Sequence, residues 1–279
     1  KSVTDRINLL NTCSKIIFNS EWSKKQFLKY LKSFYHKSKK LEVIHQSINK
    51  TYVNLRKKNK LITFVGKLNM AKGYDIFGNA ITKILDKYPD WKSLVIGDEP
   101  REKISFSHKN LKNLGFQNHK VVLETFKKSS IAVTCSRWEE PFGRTSLEAA
   151  SRGCAVIISN RGGLPETITN GIILRNLSVN SLYSELDKLI NNPKQLKFLQ
   201  DQSLKNFYLT DDFISSKIDN YRDEIFDKFK LHYSKTNITE KIKILHVTNF
   251  NERHNGRLFY NTGKRINNGF IRLNHSVLE

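Results

Sequence analysis

The chain has 279 residues, of which 38% are hydrophobic, so it can form one large or two ordinary domains, and fibrous or wholly disordered classes are excluded. Its 48 Lys and Arg residues against 26 Asp and Glu residues give a net charge of +22, which suits a phosphorylated ligand, an acidic membrane surface or nucleic acid. Three widely spaced cysteines argue against a disulfide framework or a four-cysteine zinc site, and no stretch has the roughly 20 apolar residues of a membrane-spanning helix.

The first predicted unit is a strand at residues 15–18 followed by a helix from Glu21 to Tyr35, which Ser20 is placed to cap. The glycine and proline content then rises, because ten of the 13 glycines and four of the five prolines lie between Gly66 and Gly171. Turn-forming residues at this density indicate a compact domain with many short connections.

Within this domain, apolar runs of strand length alternate with stretches of helical spacing. The predicted strands are 61–65, 93–96, 131–134, 155–158 and 172–174. The predicted helices are 74–87, 119–127 and 145–152. Strict alternation of strand and helix predicts an α/β fold, a Rossmann-like, mostly parallel sheet with helices on both faces.

Polar helices are predicted beyond this domain, and a second strand-helix pattern follows them. The helices are expected at 181–190, 193–207 and 211–230, with Pro193 in the first turn of the second one. Residues 242–247 then read as a strand, and residues 257–272 have the spacing of an amphipathic helix.

The stretch with the clearest chemical content is Glu140-Pro141-Phe142-Gly143 with Glu148 further along. A helix beginning near Gly143 leaves its first amide N–H groups unpaired, and these groups with the helix dipole favour a phosphate. Glu140 and Glu148 flank this helix start, and carboxylates are good acceptors for the vicinal hydroxyls of a sugar. The spacing alone leaves open that both glutamates are ordinary solvated charges.

The Glu140-x7-Glu148 spacing resembles the E-x7-E motif of family-4 retaining glycosyltransferases, which have the GT-B fold of two Rossmann domains. Further stretches resemble that family's C-terminal, donor-binding domain and occur in the family's order. They are Val65-Gly66-Lys67-Leu68 with Lys72-Gly73, Leu94 to Pro100, Leu114-Gly115-Phe116, and Gly162 to Glu166 with Asn170-Gly171.

The resemblance implies that Glu140, Lys72 and Lys67 are catalytic, with both lysines neutralising the donor diphosphate and Glu140 binding the transferred sugar. Glu148 is expected on the ribose. The other residues expected to bind the donor are Gly66, Phe116, Phe142, Gly143, Arg144 and Thr145, the last four through backbone N–H groups. Lys67 departs from the arginine usual in the family and lacks its bidentate fork. No metal or cofactor is expected, since no Asp-x-Asp motif is present and the lysines supply positive charge.

The resemblance also predicts how the chain is divided, with the earlier part of the N-terminal domain lying upstream of residue 1. The expected parts are 1–40 as the last strand-helix unit of an N-terminal Rossmann domain, 41–60 as linker, 61–208 as donor-binding domain, 209–240 as crossover helix and linker, and 241–279 as the start of a second, truncated Rossmann-like domain. A fragment of this kind is expected to bind donor and to transfer sugar poorly alone. The alternative for residues 241–279 is that their strand completes the sheet begun at residues 15–18.

The function predicted on these grounds is a cytoplasmic retaining glycosyltransferase that moves a sugar from a nucleotide-diphosphate donor to a glycan or lipid-linked acceptor, in polysaccharide or lipopolysaccharide synthesis. Peripheral association with an anionic membrane at its inner face is a further expectation, and nucleic acid is not an expected partner. Two alternatives stay open. One is a nucleotide-sugar epimerase of similar fold, and the other is a basic nucleic-acid-binding module with an extended basic stripe and exposed aromatic residues.

Overall fold

A computed structural model of the chain describes residues 2–229, 243–245, 271 and 276–278. The chain divides into two compact units, Lys1–Ile225 and Phe226–Glu279. The first unit contains a six-stranded sheet and a separate two-stranded sheet.

The six-stranded sheet is parallel throughout and has the strand order β5-β4-β3-β6-β7-β8. Its strands are β3 (Asn59–Val65), β4 (Lys92–Ile96), β5 (Leu111–Asn113), β6 (Ser129–Thr134), β7 (Ala155–Ser159) and β8 (Ile172–Leu174). The helices of this domain are α3 (Tyr74–Lys87), α4 (His119–Lys128), α5 (Arg144–Ser151), α6 (Val179–Asn191) and α7 (Pro193–Lys205). The predicted fold class is confirmed.

Helices cover both faces of this sheet because successive strand residues point to opposite sides. Ile62 and Phe64 of β3 belong to a core with residues of α3 and α6. Ala132 of β6 and Val156 of β7 point to the other face of the sheet, and they belong to a second core with residues of α4 and α5. Strands buried on both faces read as continuous apolar runs, which is why the sequence indicated them clearly.

The N-terminal part of the unit forms the two-stranded sheet with its own small core. Its elements are α1 (Val3–Thr12), β1 (Ile16–Phe18), α2 (Glu21–Leu28), a 3₁₀ helix (Ser33–Lys37) and β2 (Leu41–Val43). β1 pairs in parallel with β2, so the first residues of the segment predicted as a linker form a strand.

The helix predicted to run from Glu21 to Tyr35 is shorter than expected. α2 ends at Leu28, and Tyr30 has a backbone φ of 69°, in the left-handed region that a right-handed helix does not use. After this turn the 3₁₀ helix brings Tyr35 back onto the small core that contains Leu28 and Leu31, so the burial of these apolar residues favours the break. The prediction of one long helix was therefore wrong.

The helix α8 (Asp211–Phe229) contacts the N-terminal sheet through a small polar cluster. The Tyr221 hydroxyl donates to Glu42 Oε2 at 3.0 Å, and the Lys15 ammonium lies 3.2 Å from Glu42 and 3.4 Å from Glu224. These contacts join the beginning and the end of the first unit.

The second unit contains β9 (Lys243–Leu245) and β10 (Ser276–Leu278), which pair in parallel. β9 lies inside the predicted strand at 242–247, while most of the helix predicted at 257–272 lies outside the described residues. Within its own unit, β9 pairs with β10, as β1 pairs with β2 in the first unit. None of the helices in the described ranges combines the length and apolar character needed to cross a membrane.

Candidate functional site

A cavity of about 200 Å³ lies where the carboxyl ends of β3 and β6 meet the amino end of α5. Its walls are Phe64, Val65, Gly66, Lys72, Thr134, Glu140, Gly143, Arg144, Thr145 and Leu164. Open parallel sheets bind ligands outside the carboxyl ends of their strands. Six residues of the predicted site therefore share one crevice in the expected place.

Lys72 and Glu140 are in direct contact across this cavity. The Lys72 ammonium donates to Glu140 Oε1, and the two side chains are 32% and 13% exposed, respectively. The contact places a cation and a carboxylate beside the amino end of α5. A ligand with an anionic end and hydroxyl groups meets complementary partners there.

Lys72 is held by a tight turn in front of α3. Its backbone N–H donates to Asn69 Oδ1 at 3.0 Å, and the following Gly73 has a φ of 72°. A Cβ at Gly73 would lie 1.9 Å from the carbonyl oxygen of Cys135, so only glycine permits this approach. The turn fixes Lys72 against the loop that follows β6.

Glu140 is held by a second glycine turn on the other side. The N–H of Gly163 donates to the Glu140 carbonyl at 2.7 Å, and a Cβ at Gly162 would lie 2.1 Å from that same oxygen. The N–H of Gly162 also donates to Glu139 Oε2 at 2.5 Å. The sequence Gly162-Gly163, far from the motif in the chain, thus supports the loop that carries Glu140.

An arginine clamp ties the two loops together. Arg137 forms two hydrogen bonds to the Asp75 carboxylate, at 2.6 and 2.7 Å, and a third to the Met70 carbonyl at 2.7 Å. The Arg137 guanidinium lowers the pKa of Asp75, so this pair stays charged near neutrality. Sequence analysis missed the clamp, because Arg137 and Asp75 are far apart in the chain and neither belongs to a recognised motif.

The amino end of α5 is open to the cavity. Gly143 precedes the helix with a φ of 114°, and Leu147 is the first helix residue whose N–H reaches the Gly143 carbonyl. The N–H groups of Arg144 and Thr145 belong to the first turn, which has no acceptor within its own helix. This end of α5 therefore offers N–H donors and a partial positive charge to an anion.

Glu148 accepts hydrogen bonds from two side chains. Arg144 Nε at 3.0 Å and His119 Nε2 at 2.9 Å both donate to Glu148 Oε1. Since a carboxylate can only accept, His119 carries its proton on Nε2 in this contact. His119 is a candidate site residue that sequence analysis missed, because it starts α4 and no spacing connects it to the motif.

Four of the predicted site residues do not line the cavity: Glu148, Lys67, Phe116 and Phe142. The exposed Lys67 lies near Glu99, whose pKa is lowered to about 2, chiefly by the hydrogen bonds of Arg101 and to a lesser extent by Lys67. Phe116 is exposed beyond β5, and the Phe142 ring is buried.

The N-terminal part of the chain directly contacts the loop of residues 140–143, called here the motif loop. Ser20 and Ser23 at the start of α2 donate through their hydroxyls to the Pro141 carbonyl, at 2.5 and 3.1 Å. Glu166 accepts from the N–H groups of Glu21 and Trp22 at the amino end of α2, at 2.6 and 3.0 Å.

His45 completes this network. Its Nε2 lies 3.0 Å from Glu166 Oε2, and its ring stacks on Phe142 with 5.3 Å between the ring centroids. His45 therefore links Glu166 to the ring of Phe142. The loop between Glu140 and Gly143 is thus supported from both parts of the first unit.

Larger cavities lie elsewhere in the first unit. One of about 580 Å³ is bordered by Lys58 and Ser130, at the amino ends of β3 and β6. Because ligands of parallel sheets bind at the carboxyl edge, size alone does not make this cavity the site. Among the described residues, no group of three or more His, Cys, Asp or Glu side chains is placed to hold a metal ion.

Comparison with known families gives one match that covers the six-stranded sheet. The sequence model described as "Glycosyl transferases group 1" matches residues 46–205. This range runs from the segment before β3 to the end of α7 and contains every residue that lines the 200 Å³ cavity.

Two curated relatives illustrate the similarity. Spore coat protein SA of Bacillus subtilis is 31% identical over 142 residues, which cover 45% of this chain and 38% of the relative. The 2-deoxystreptamine N-acetyl-D-glucosaminyltransferase of Niallia circulans is 28% identical over 181 residues, covering 62% of this chain and 42% of the relative. The chain therefore spans about two fifths of the length of these relatives.

The fold resembles that of solved structures. The crystal structure of Anabaena Alr3699/HepE in complex with UDP-glucose aligns with a TM-score of 0.65, covering 80% of this chain and 68% of that one. The sequence identity in this comparison is only 18%, so the likeness shows a shared fold and nothing beyond it.

Proposed function

Because the chain belongs to the glycosyl transferases group 1 family, we propose that it is the donor-binding part of a retaining, family-4-type glycosyltransferase. In this proposal residues 61–208 bind a nucleotide-diphosphate sugar, and the acceptor is a glycan or a lipid-linked glycan in polysaccharide or lipopolysaccharide synthesis. Residues outside this chain complete the acceptor side in this proposal.

The observation that carries the proposal is the meeting of Lys72, Glu140 and the open amino end of α5 at one 200 Å³ cavity. A sugar diphosphate needs positive charge at its phosphates and acceptors at its sugar hydroxyls. Both kinds of group border the same cavity here. The cavity suits the diphosphate and the reacting carbon, with the nucleoside extending along Glu148 and His119 toward Phe116.

We assign the roles from this geometry. The diphosphate accepts from the N–H groups of Gly143 to Thr145 and from the Lys72 ammonium, and Lys67 approaches from the exposed rim. Glu140 orients the sugar. Glu148 receives the ribose hydroxyls, and Arg144 and His119 hold its carboxylate in place.

The proposed transfer proceeds on one face of the sugar. The bond from the anomeric carbon to the diphosphate oxygen breaks, the acceptor oxygen bonds to the same carbon from the same side, and the acceptor proton passes to the departing phosphate. Lys72 and the first N–H groups of α5 stabilise the charge that grows on the diphosphate, as preorganised donors. The anomeric configuration is retained without a covalent sugar–protein intermediate.

Lys72 and Glu140 share a contact that the ligand must exchange. Lys72 is already paired with Glu140, so an incoming diphosphate has to share or take over the ammonium. The sugar hydroxyls then replace Lys72 as partners of the Glu140 carboxylate. A complete nucleotide sugar satisfies both residues, whereas a bare diphosphate leaves Glu140 beside a second anion.

Calorimetry with a panel of uridine, guanosine and adenosine diphosphates tests the donor site. The similar structure in complex with UDP-glucose makes uridine the first base to test. Lys72→Ala should weaken binding about 10- to 100-fold, since charge-assisted contacts are worth roughly 1.5–3 kcal/mol. Lys194→Ala, at an exposed position of α7, is the matched control and should bind like the wild type.

The same measurement separates the competing functions. If Lys72→Ala and Glu148→Ala both leave the binding of every nucleoside diphosphate unchanged, the donor site is wrongly placed. Product analysis distinguishes transfer from epimerisation, because an epimerase converts the donor without an acceptor. This assay uses the extended enzyme, meaning this chain together with the residues that complete the acceptor side.

A further inference from the structure

Residues 22–40 form a strongly cationic segment on the N-terminal part of the fold. They include seven lysines and no Asp or Glu. Lys25, Lys29, Lys32 and Lys37 are exposed. Because no acidic side chain from the segment itself offsets this charge, the turn between α2 and the 3₁₀ helix presents a local positive field.

Two aromatic rings project from the middle of this segment. Tyr30 is 80% exposed and Phe34 is 61% exposed. Their neighbours Leu28 and Leu31 are buried in the small core, and Tyr35 packs against it. The segment is thus anchored by its apolar residues. The Tyr30 ring, which has the Lys29 ammonium 5.0 Å from its centroid, and the Phe34 ring, which lies against Tyr35, stay mostly exposed.

The backbone at Tyr30 maintains this arrangement. Its φ of 69° is the one positive φ at a non-glycine residue within the described ranges, and a bulky side chain is disfavoured there. The turn lies between Leu28 and Leu31, which stay in the core, and it leaves the Tyr30 ring outside. An unfavourable conformation that exposes an aromatic ring between lysines suggests a binding function for the ring.

We propose that this segment docks the protein on an anionic lipid bilayer. Tyr30 and Phe34 enter the headgroup region, where aromatic side chains are favoured, and the exposed lysines lie over the acidic headgroups. Basic clusters combined with a few apolar anchors are sufficient for reversible attachment to such surfaces. We name residues 22–40 the basic aromatic segment.

A bilayer fits the basic aromatic segment better than single-stranded nucleic acid. Proteins hold single strands in grooves where bases stack on rings. The Tyr30 ring is largely in solvent and stands out from the protein rather than lining a groove. A projecting ring flanked by cations is instead suited to insertion into a soft, flat, anionic surface.

The position of the segment connects attachment to the proposed function, and this step depends on that function. α2 has eight residues, or about 12 Å of helix. Its first residue donates to Glu166 beside the motif loop, and its last precedes Lys29 and Tyr30. A lipid-linked acceptor at the bilayer surface would therefore lie near the edge of the donor site.

Co-sedimentation with vesicles tests the proposal. The chain should bind vesicles in which phosphatidylcholine is mixed with the anionic lipid phosphatidylglycerol, fail to bind pure phosphatidylcholine, and detach in about 0.5 M NaCl. The double variant Tyr30→Ser with Phe34→Ser should lower the partition coefficient at least tenfold. Phe198→Ser removes a ring that is 57% exposed on α7 and should leave binding unchanged.

A second pair of variants isolates the charge. Replacing Lys25, Lys29, Lys32 and Lys37 by Gln should abolish binding to the anionic vesicles. The control variant makes the same change at four exposed lysines elsewhere. Its positions are Lys109, Lys112, Lys194 and Lys205.

The outcomes are decisive in each direction. Equal loss in the two quadruple variants would reduce the effect to net charge and overturn the proposal, as would wild-type binding by the double aromatic variant. Binding of a single-stranded oligonucleotide that depends on Tyr30 and Phe34, without vesicle binding, would assign the segment to nucleic acid instead. Nucleoside diphosphate binding, measured on the same variants, should stay unchanged, so failure of the donor site and failure of membrane docking give different results.

Discussion

Replacing Glu140 by Gln should tighten the binding of a nucleoside diphosphate and weaken the use of the complete nucleotide sugar. The Lys72 ammonium is paired with the Glu140 carboxylate. The substitution keeps the shape of the side chain and removes its charge. Lys72 then becomes fully available to the diphosphate, and the second anion beside the phosphates is gone.

The size of this effect follows from the geometry. A lysine placed between two anions separates them by roughly 6 Å, and at an effective dielectric constant of about 40 their repulsion is about 1.4 kcal/mol. This dielectric constant suits side chains that are 32% and 13% exposed. Because about 1.4 kcal/mol corresponds to a factor of ten, the dissociation constant of the diphosphate should fall about tenfold.

Isothermal titration with the preferred nucleoside diphosphate measures the effect directly, and a sugar-transfer assay of the extended enzyme measures the loss of sugar orientation. Glu139→Gln is the matched control, because it removes the same charge from the adjacent residue, which contacts Arg161 and Gly162. Equal shifts in the two variants, or weaker diphosphate binding by Glu140→Gln, would refute the exchange of Lys72 between carboxylate and phosphate.

Two further predictions concern residues that sequence analysis did not single out. His119→Ala should weaken nucleoside diphosphate binding about three- to tenfold by releasing Glu148, yet leave inorganic pyrophosphate binding unchanged in the same titrations, since pyrophosphate has no ribose. Lys58→Met should lower the unfolding free energy in urea by about 3 kcal/mol, because three carbonyls lose their ammonium donor, whereas the exposed control Lys57→Met should change it by less than about 0.5 kcal/mol. Burial lowers the pKa of Lys58 from 10.5, so the unfolded chain holds this proton more tightly, and the stability of the wild type relative to Lys58→Met should rise as the pH approaches 10.5.

Five strands of the six-stranded sheet were predictable because their signals are local, whereas β5, with the sequence Leu-Lys-Asn, has no apolar run and was not predicted. Each buried strand is a short apolar run between turn residues, and α3 begins at Tyr74 and ends at Lys87, as its spacing predicts. β2 escaped prediction because so short a strand, with Glu42 at its centre, has no periodicity to detect. α1 could have been found, since Ser2 and Asp5 form a capping box at its start.

In the candidate site, too, only the residues within a local motif could be predicted from the sequence. The family resemblance predicted Lys72 and Glu140 as site residues without showing that they pair. The supporting contacts of Arg137 with Asp75 and of His45 with Glu166 join residues 62 and 121 positions apart. No spacing rule connects such partners, because their proximity is set by the strand order and by the glycine turns.

The support of the motif loop has a consequence for how the chain can be divided. The carbonyl of Pro141 accepts from Ser20 and Ser23, and Glu166 caps the amino end of α2. These contacts come from the part of the chain assigned to an N-terminal domain, yet they fix the residue next to Glu140. A separate donor-binding domain starting at residue 61 would leave the Glu166 carboxylate without the α2 N–H groups and His45. The position of Glu140 relative to Lys72 therefore depends on both parts of the first unit, and a shift of α2 would reach the Glu140 loop through the Pro141 carbonyl and through Glu166.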